Sequence, residues 1–266
     1  MAGARDGRAT GTVAPDRSGF TSPTEAKSMI KYAATLEAVR SAVRATAAEP
    51  PPISPGDRET ARGLKPVVTI SRQSGVGAAE VASHLVKILN ERDQADTPWI
   101  EYDRQLVERV AADHNLSADL VAQLDERDRS WFEHLTAGFT GSATGTDIAM
   151  KTAKTIRALA RVGRAVIIGR GGQSILANMG HVLHVRLFAP MDWRAEQYAR
   201  IHGASHRDAE QALRKVDNER ARYVRQHFNS DVSDGTLYDL TINMKRLQAD
   251  RAAEIIAHTV LTFRGA

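Results

Sequence analysis

The sequence PVVTISRQSGVGAAEVASHLVKILNER occupies residues 66–92 and joins three local patterns. The β-branched run at 67–70 predicts a short buried strand, and the apolar spacing at 78–92 predicts a helix. Between them lies a loop that contains Gly75 and Gly77. Glycines allow backbone amides to turn inward around a phosphate, and the N-terminus of the following helix adds partial positive charge. The unit therefore predicts phosphate binding, with a tight turn in some other α/β domain as the alternative.

The loop departs from the lysine-containing phosphate-binding motif GxxxxGK[ST]. With Gly77 as the glycine before the lysine, Ala78 stands at the lysine and Ala79 at the hydroxyl residue. The groups that would reach the β- and γ-phosphates and Mg²⁺ are therefore both missing from the loop. Arg72 is a candidate to replace the lysine, with a contact to the adjacent strand end as its alternative. Glu80 is a candidate Mg²⁺ ligand, with stabilisation of the first helical turn as its alternative. The candidate phosphate-loop residues are Ser71, Arg72, Gln73, Ser74, Gly75, Val76, Gly77, Ala78 and Ala79.

Four more strands are predicted from short apolar and β-branched runs. They lie at 99–102, 165–168, 182–188 and 240–243. Helical patterns occupy 104–161, 192–229 and 247–263, and a flexible glycine-rich loop is predicted at 138–145. Strands that alternate with helices are typical of a parallel sheet covered on both faces. We therefore expect an α/β domain over 66–266 with a five-stranded parallel sheet.

The region before this domain has a different composition. Residues 1–21 contain few apolar side chains and are expected to form a disordered tail. A capping box begins at Ser22 and starts an amphipathic helix predicted over 22–49, and a proline-rich linker is expected at 50–65. The apolar stripe of the helix, over 24–48, must be buried against the main domain or against a second copy of the chain in a homo-oligomer.

Six segments in chain order resemble a known family. They are VTISRQSGVGAAEVASHL at 68–85, YDR at 102–104, VIIGRGG at 166–172, LFAP at 187–190, DNERARY at 217–223 and YDLTIN at 238–243. Together they resemble the cytidylate kinase-like proteins, relatives of bacterial cytidylate kinase among the P-loop nucleoside monophosphate kinases. The resemblance covers about 66–260 and implies a P-loop NTPase fold, a three-layer αβα sandwich with a helical lid. The chain departs from the family at Ala78 and Ala79, where the family tends to have glycine and arginine.

The resemblance also implies roles for charged residues after the loop. Arg170 resembles the arginine that grips the acceptor phosphate, and Asp103 and Asp217 fall in the acceptor-binding parts of the pattern. Arg194 and Arg220 lie in the lid of the family pattern and join Arg170 as candidate catalytic residues. Each guanidinium can donate two parallel hydrogen bonds to the oxygens of one phosphate group. Mg²⁺ with ATP is the implied cofactor. The residues alone leave alternatives open: an ion pair for Arg170, a helix N-cap for Asp103 and a solvated surface charge for each lid arginine.

Composition excludes several other classes of protein. The chain has 266 residues, no cysteine and a net charge of +4, so disulfides, thiolate metal sites and cysteine nucleophiles are excluded. Its nine histidines form no metal-ligating pattern. No stretch approaches the roughly 20 apolar residues of a membrane span, and the start lacks the apolar segment of a secretory signal, so a cytoplasmic location without membrane contact is expected. Aromatic residues make up 5% of the chain. Nucleic acid is therefore disfavoured as a partner, and an anionic small molecule fits the net charge as well. The family resemblance implies that the partners are nucleotides.

Three functions are consistent with these observations. The first is an enzyme that transfers the γ-phosphoryl group of ATP to a nucleoside monophosphate, with CMP or dCMP as the leading acceptor; the retained arginines favour it. The alternative is a catalytically weak or inactive nucleotide-binding sensor or scaffold with the same fold, which Ala78 and Ala79 favour. The third hypothesis is a different P-loop-like domain that acts on other substrates.

Overall fold

The computed structural model describes residues 37–41, 64–93, 95–113, 124, 128 and 143–262. The strands in these ranges are β1 Val67–Arg72, β2 Ile100–Tyr102, β3 Ala165–Ile168, β4 Val182–Phe188 and β5 Leu240–Asn243. The helices are α1 Ala78–Arg92, α2 Arg104–Ala112, α3 Ala143–Val162, the single turn α4 Gly172–Ile175, α5 Met191–His202, α6 His206–Phe228 and α7 Ala249–Thr262. A 3₁₀ turn at Gly235–Leu237 precedes β5.

The five strands form one parallel sheet in the order β2-β3-β1-β4-β5. β1 is central, and its Val67, Val68 and Ile70 are fully buried, as a strand covered on both faces requires. Its neighbour β4 pairs in a register that places Arg186 beside Ser71. The carboxyl ends of β1, β3 and β4 therefore lie side by side, at the edge where open α/β sheets bind ligands.

Helices cover both faces of the sheet. On one face α1 and α7 bury apolar stripes that include Leu85 and Ile256. On the other face α2, α3 and α4 bury residues that include Val107 and Leu159. Each fully buried side chain of this kind contributes about 1.5–3 kcal/mol. The predicted α/β class and its five-stranded parallel sheet are confirmed.

Helices α5 and α6 form the helical lid. Ala195, Ala209 and Leu213 make a small apolar cluster between the two helices. A Cβ atom at Gly75 would lie 3.1 Å from Leu213 Cδ2. Helix α6 therefore packs directly on the predicted phosphate loop.

The predicted flexible loop at 138–145 is wrong in its last part, because 143–145 belong to α3. A glycine inside a helix costs only about 1 kcal/mol, so Gly145 does not prevent the helix from starting before it. Residues 138–142 lie outside the described residues.

Most of the predicted N-terminal organisation also lies outside the described residues. This applies to the tail at 1–21, to the linker up to 63 and to the 22–49 helix except for 37–41. Residues 37–41 are helical, Val39 is buried in the core beside α2 and α3, and Arg40 Nη2 donates to Asp113 Oδ2 at 2.9 Å. This part of the apolar stripe therefore packs against the main domain. In the described part of the chain, no helix combines the length and apolar character that crossing a membrane demands.

Candidate functional site

A cleft of about 780 Å³ opens at the carboxyl ends of β1, β3 and β4. Its walls are the end of β1, the turn after β3, the middle of α6 and the segment 231–233. Cations outnumber acids in this lining. The cations are Arg72, Arg104, Arg170, Arg186, Arg220 and Arg225, and the acids are Asp217, Glu219 and Asp231. A concave, strongly basic site of this kind concentrates anionic ligands.

Arg170 enters the cleft from the turn that follows β3. Its φ of 55° lies in the left-handed region, between Gly169 and Gly171, which are also left-handed. A non-glycine residue in this conformation bears strain of about 1 kcal/mol or more, which is common at functional sites. Its Nη2 lies 2.8 Å from Glu108 Oε1, and its guanidinium lies 5.3 Å from the ring centroid of Tyr223. The ion pair that the sequence left open is therefore present, and Arg170 still lines the cleft.

Three further guanidiniums, of Arg72, Arg186 and Arg220, form what we call the arginine cluster. Burial, then the charges of Arg220 and Arg186, lower the pKa of Arg72 to about 10. Burial also lowers the pKa of Arg220, and Arg186 adds to this effect while Asp217 opposes it. In the described part of the chain, the buried Nη1 of Arg220 has no hydrogen-bond partner. At Arg72 the repulsion from Arg220 and Arg186 outweighs the attraction of Asp217, whereas at Arg220 the attraction of Asp217 is stronger than the repulsion from Arg186.

Two neighbours fix the positions of the cluster members on the sheet. Arg186 Nη1 donates to Ser71 Oγ at 2.6 Å, and the guanidinium lies 5.7 Å from the ring centroid of Tyr238. Arg72 reaches toward β3, where a Cβ atom on Gly169 would overlap Arg72 Nη1. Only glycine at position 169 leaves room for this side chain.

Asp217 of α6 ties the lid to the predicted phosphate loop. Its Oδ1 accepts hydrogen bonds from the backbone amide of Ser74 at 2.7 Å and from Ser74 Oγ at 2.8 Å. Its Oδ2 accepts from Arg194 Nη1 at 2.6 Å. Arg194 also donates to the carbonyl oxygens of Ser74 and Ala189, each at 3.0 Å. We call Ser74, Arg194 and Asp217 the loop–lid brace.

The sequence-predicted arginines and Asp217 fall into two groups, according to whether they line the cleft. Arg170, Arg220 and Asp217 line the cleft, whereas Arg194 is 3% exposed and is not part of its lining. The catalytic role of Arg194 stays a prediction, and its observed contacts are structural. Of the predicted phosphate loop, Ser71, Arg72 and Gln73 reach the cleft.

The two glycines of the predicted phosphate loop adopt a backbone conformation that glycine favours. Gly75 and Gly77 are left-handed, with φ of 79° and 73°, and Gly77 is the N-cap of α1. Ala78 is buried at the start of α1, and Ala79 is exposed. The structure places no charged side chain at either alanine position, so a cation for the phosphates must come from elsewhere.

Asp103 and Glu80 lie outside the lining of the cleft. Asp103 accepts a hydrogen bond from the amide of Leu106 at 2.8 Å and so caps α2. This is the helix N-cap that the sequence left open as the alternative role of Asp103. Glu80 is exposed on the first turn of α1, 3.9 Å from His84 Nε2. Their roles in acceptor and metal binding stay predictions.

The donor set for magnesium is poor. Mg²⁺ prefers oxygen ligands in octahedral geometry and is usually held by one or two carboxylates together with substrate phosphates. The loop hydroxyl is replaced by Ala79, and among the described residues no group of three or more histidine, aspartate or glutamate side chains could hold an ion. These residues do not fit a resident magnesium ion, so the ion would enter with ATP as part of the substrate.

Sequence reasoning missed Arg186 and Gln173. Arg186 is the cation in the otherwise mostly apolar strand VLHVRLF, next to Ser71 in register; an arginine near the carboxyl end of a buried strand was the available signal. Gln173 is 3% exposed and lines the cleft, and its Nε2 has no hydrogen-bond partner within the ranges that the structure describes. No sequence pattern distinguishes it from a core glutamine.

Known proteins match this chain over the same region. The model of the Cytidylate kinase-like family matches residues 67–246, which is more than half of the chain. A curated cytidylate kinase from Methanothrix thermoacetophila is 25% identical over 181 residues, or 68% of this chain and 89% of that protein.

Two solved structures align with most of this chain. An uncharacterized protein from Eubacterium ventriosum aligns with a TM-score of 0.58 and 21% identity, over 74% of this chain and 99% of that chain. A shikimate kinase from Bacteroides thetaiotaomicron aligns with a TM-score of 0.41 and 11% identity, over 74% of this chain and 98% of that chain. The first alignment shows a shared fold.

Proposed function

The chain belongs to the cytidylate kinase-like family, and we propose that it transfers the γ-phosphoryl group of Mg-ATP to a nucleoside monophosphate. CMP or dCMP is the leading acceptor in this proposal. The family resemblance in the sequence is confirmed, and the chain is a nucleotide kinase-like protein. The observation that carries the proposal is the strained Arg170 at the carboxyl end of β3, which lines the same basic cleft as the end of β1.

The size and charge of the cleft support a nucleotide ligand. Small-molecule sites occupy roughly 300–1,000 Å³, and this cleft of about 780 Å³ falls in that range. Its arginines come from β1, the turn after β3, β4 and α6. Each guanidinium presents a rigid pair of donors to one side of a phosphate. Arginines from several elements can therefore approach a phosphate from several sides, which arginines on one helix cannot do.

The transfer requires positioning more than proton chemistry. An oxygen of the acceptor phosphate forms a bond to the γ-phosphorus while the bond to the β–γ bridging oxygen breaks, and ADP leaves with that oxygen. No electron is gained or lost. The attacking oxygen is already ionised near pH 7, since the second pKa of a phosphate monoester is roughly 6. The residues of the cleft therefore need only to align the two phosphates and neutralise their charge.

A specific observation favours a second function. Ala78 and Ala79 stand where the loop lysine and hydroxyl would be, and those groups normally contact the β- and γ-phosphates and the magnesium ion. A chain that binds a nucleotide without turnover, as a sensor or scaffold, would retain the cleft and lose the chemistry.

A phosphotransfer assay separates the two functions. Full-length protein is incubated with Mg-ATP and CMP, dCMP, UMP or AMP, and ADP release is followed by a coupled enzyme reaction. The proposal predicts ADP release that depends on a pyrimidine monophosphate. Arg170→Met is expected to raise the KM for the acceptor about tenfold or more, because a hydrogen bond to a charged group is worth about 1.5–3 kcal/mol.

The matched control is Arg207→Gln, which removes an exposed arginine of α6 outside the cleft lining. It should leave KM within about twofold, since surface substitutions change little. Nucleotide binding by calorimetry without turnover would leave the sensor function, and no binding of any nucleotide would overturn both.

A further inference from the structure

The arginine cluster carries more positive charge than the protein compensates. The acid that acts on Arg72 and Arg220 is Asp217, and Asp217 is already ion-paired with Arg194. Arg186 is held by neutral groups, the Ser71 hydroxyl and the Tyr238 ring. Partly buried cations that repel one another destabilise a protein unless an anion joins them. The missing partner is therefore anionic.

The cluster also has open donors. Arg220 Nη1 is buried, finds no hydrogen-bond partner among the described residues and lies 4.0 Å from Asp217 Oδ1, beyond hydrogen-bond distance. A buried donor left unpaired costs free energy that a ligand would recover. All three members of the cluster line the cleft, so a ligand there can reach them.

The position of the cluster places it between the two halves of the predicted site. Arg72 begins at the phosphate-loop end of β1 and reaches the space left by Gly169, next to Arg170. Arg186 is fixed from β4 by Ser71, and Arg220 comes from the lid. An anion bound by these three groups would lie between the loop that holds the donor and the arginine that holds the acceptor.

We propose that Arg72, Arg186 and Arg220 together bind the phosphoryl group in transfer and supply the charge that the loop lysine supplies in other phosphate loops. A transferring phosphoryl group spreads its charge over three oxygens, and three guanidiniums from β1, β4 and α6 offer a donor pair from each direction. The identity of the bound group rests on the proposed function, whereas the presence of a polyphosphate site here does not.

Calorimetric titration with inorganic tripolyphosphate tests the site without nucleotide or magnesium. Wild-type protein is expected to bind, and Arg72→Gln and Arg186→Gln are expected to weaken binding roughly 10- to 100-fold. Arg207→Gln removes the same charge from the exposed part of α6 and should change affinity less than about twofold. Arg186→Lys keeps the charge without the fork and should recover only part of the affinity; it also serves if Arg186→Gln does not fold.

The outcomes separate this proposal from the proposed function. Loss of tripolyphosphate binding in the cluster variants, together with no phosphotransfer by the wild type, supports the cluster and removes the kinase. Phosphotransfer that persists with unchanged kcat in Arg72→Gln and Arg186→Gln overturns the cluster and leaves the kinase. A wild-type protein that does not bind tripolyphosphate, or cluster variants that bind it as wild type does, overturns the cluster in every case.

Discussion

Replacing Arg72 with methionine should stabilise the unliganded protein and weaken its binding of polyphosphate. The charged side chain of Arg72 is partly buried beside Arg220 and Arg186; burial, then these two charges, lower its pKa to about 10 in the folded chain. A folded-state pKa below that of the unfolded chain means that folding disfavours the charged form. At pH 7 both states are protonated, so the folded state carries the full penalty. The penalty would be relieved only as the pH rises above about 10, where the folded state loses its proton before the unfolded state does.

The magnitude follows from this difference in pKa. Each pKa unit corresponds to about 1.4 kcal/mol, so the charged side chain opposes folding by about 3 kcal/mol. Lost contacts of the guanidinium with the rest of the cleft offset part of this gain. We expect a net rise of about 1–2 kcal/mol in the free energy of unfolding, which corresponds to about 2–8 °C in Tm for a domain of this size.

The assay compares thermal unfolding of wild type, Arg72→Met and Arg207→Met with and without tripolyphosphate. Without ligand, Arg72→Met should unfold at the highest temperature and Arg207→Met with the wild type. With ligand, the Tm of the wild type should rise and that of Arg72→Met should rise much less, because stabilisation by a ligand depends on its Kd. An Arg72→Met protein that is less stable than wild type and equally stabilised by ligand would refute the reasoning about the cluster.

Further predictions test the brace, the turn and the buried histidine. Arg194→Met leaves Asp217 without its buried ion-pair partner and should lower the free energy of unfolding, measured in urea, by about 3 kcal/mol. The control Arg200→Met removes an exposed arginine of the same helix and should lower it by under about 0.5 kcal/mol. Equal losses in the two variants would contradict the loop–lid brace. Gly169→Ala introduces a Cβ atom that overlaps the Arg72 guanidinium and should weaken tripolyphosphate binding about tenfold or more. The control Gly203→Ala has the same left-handed strain, but no described heavy atom lies within 4 Å of its Cβ atom, so its binding should not change. Unchanged binding in Gly169→Ala as well would exclude the clash. Burial lowers the pKa of His184 below its ordinary 6.5. The unfolded chain therefore takes up a proton first, and Tm should fall as the pH drops below 6.5. This fall should be smaller in His184→Gln, and an identical pH dependence of Tm in the variant would show that another group is responsible.

The sheet was predictable because its strands are short, apolar and β-branched, with helical patterns between them. The turn at Gly75 and Gly77 was predictable for a similar local reason, since two closely spaced glycines between a strand and a helix favour a left-handed turn. The local pattern around Gly145 was misleading, because this glycine lies inside α3 rather than in a loop.

The candidate site was only partly predictable, because its chemistry depends on contacts between distant segments. Arg170 could be assigned from its place at the end of an apolar strand. The buried position of Arg194 depends on packing of α5 against the loop, and Arg72 reaches the cluster only because position 169 is glycine. Arg186 carries a local signal, since it lies near the carboxyl end of an apolar strand. Its place beside Ser71 depends on the register of β4 with β1, which that signal does not give.

Transfer of label from γ-³²P-ATP to CMP is the most direct measurement of the central claim. Full-length protein, Mg-ATP and CMP are mixed, and the nucleotides are separated and counted. We predict labelled CDP in amounts equal to the ADP formed, with strongly reduced formation in Arg170→Met and normal formation in Arg207→Gln. Protein that binds ATP and CMP by calorimetry but forms no labelled CDP would contradict the claim.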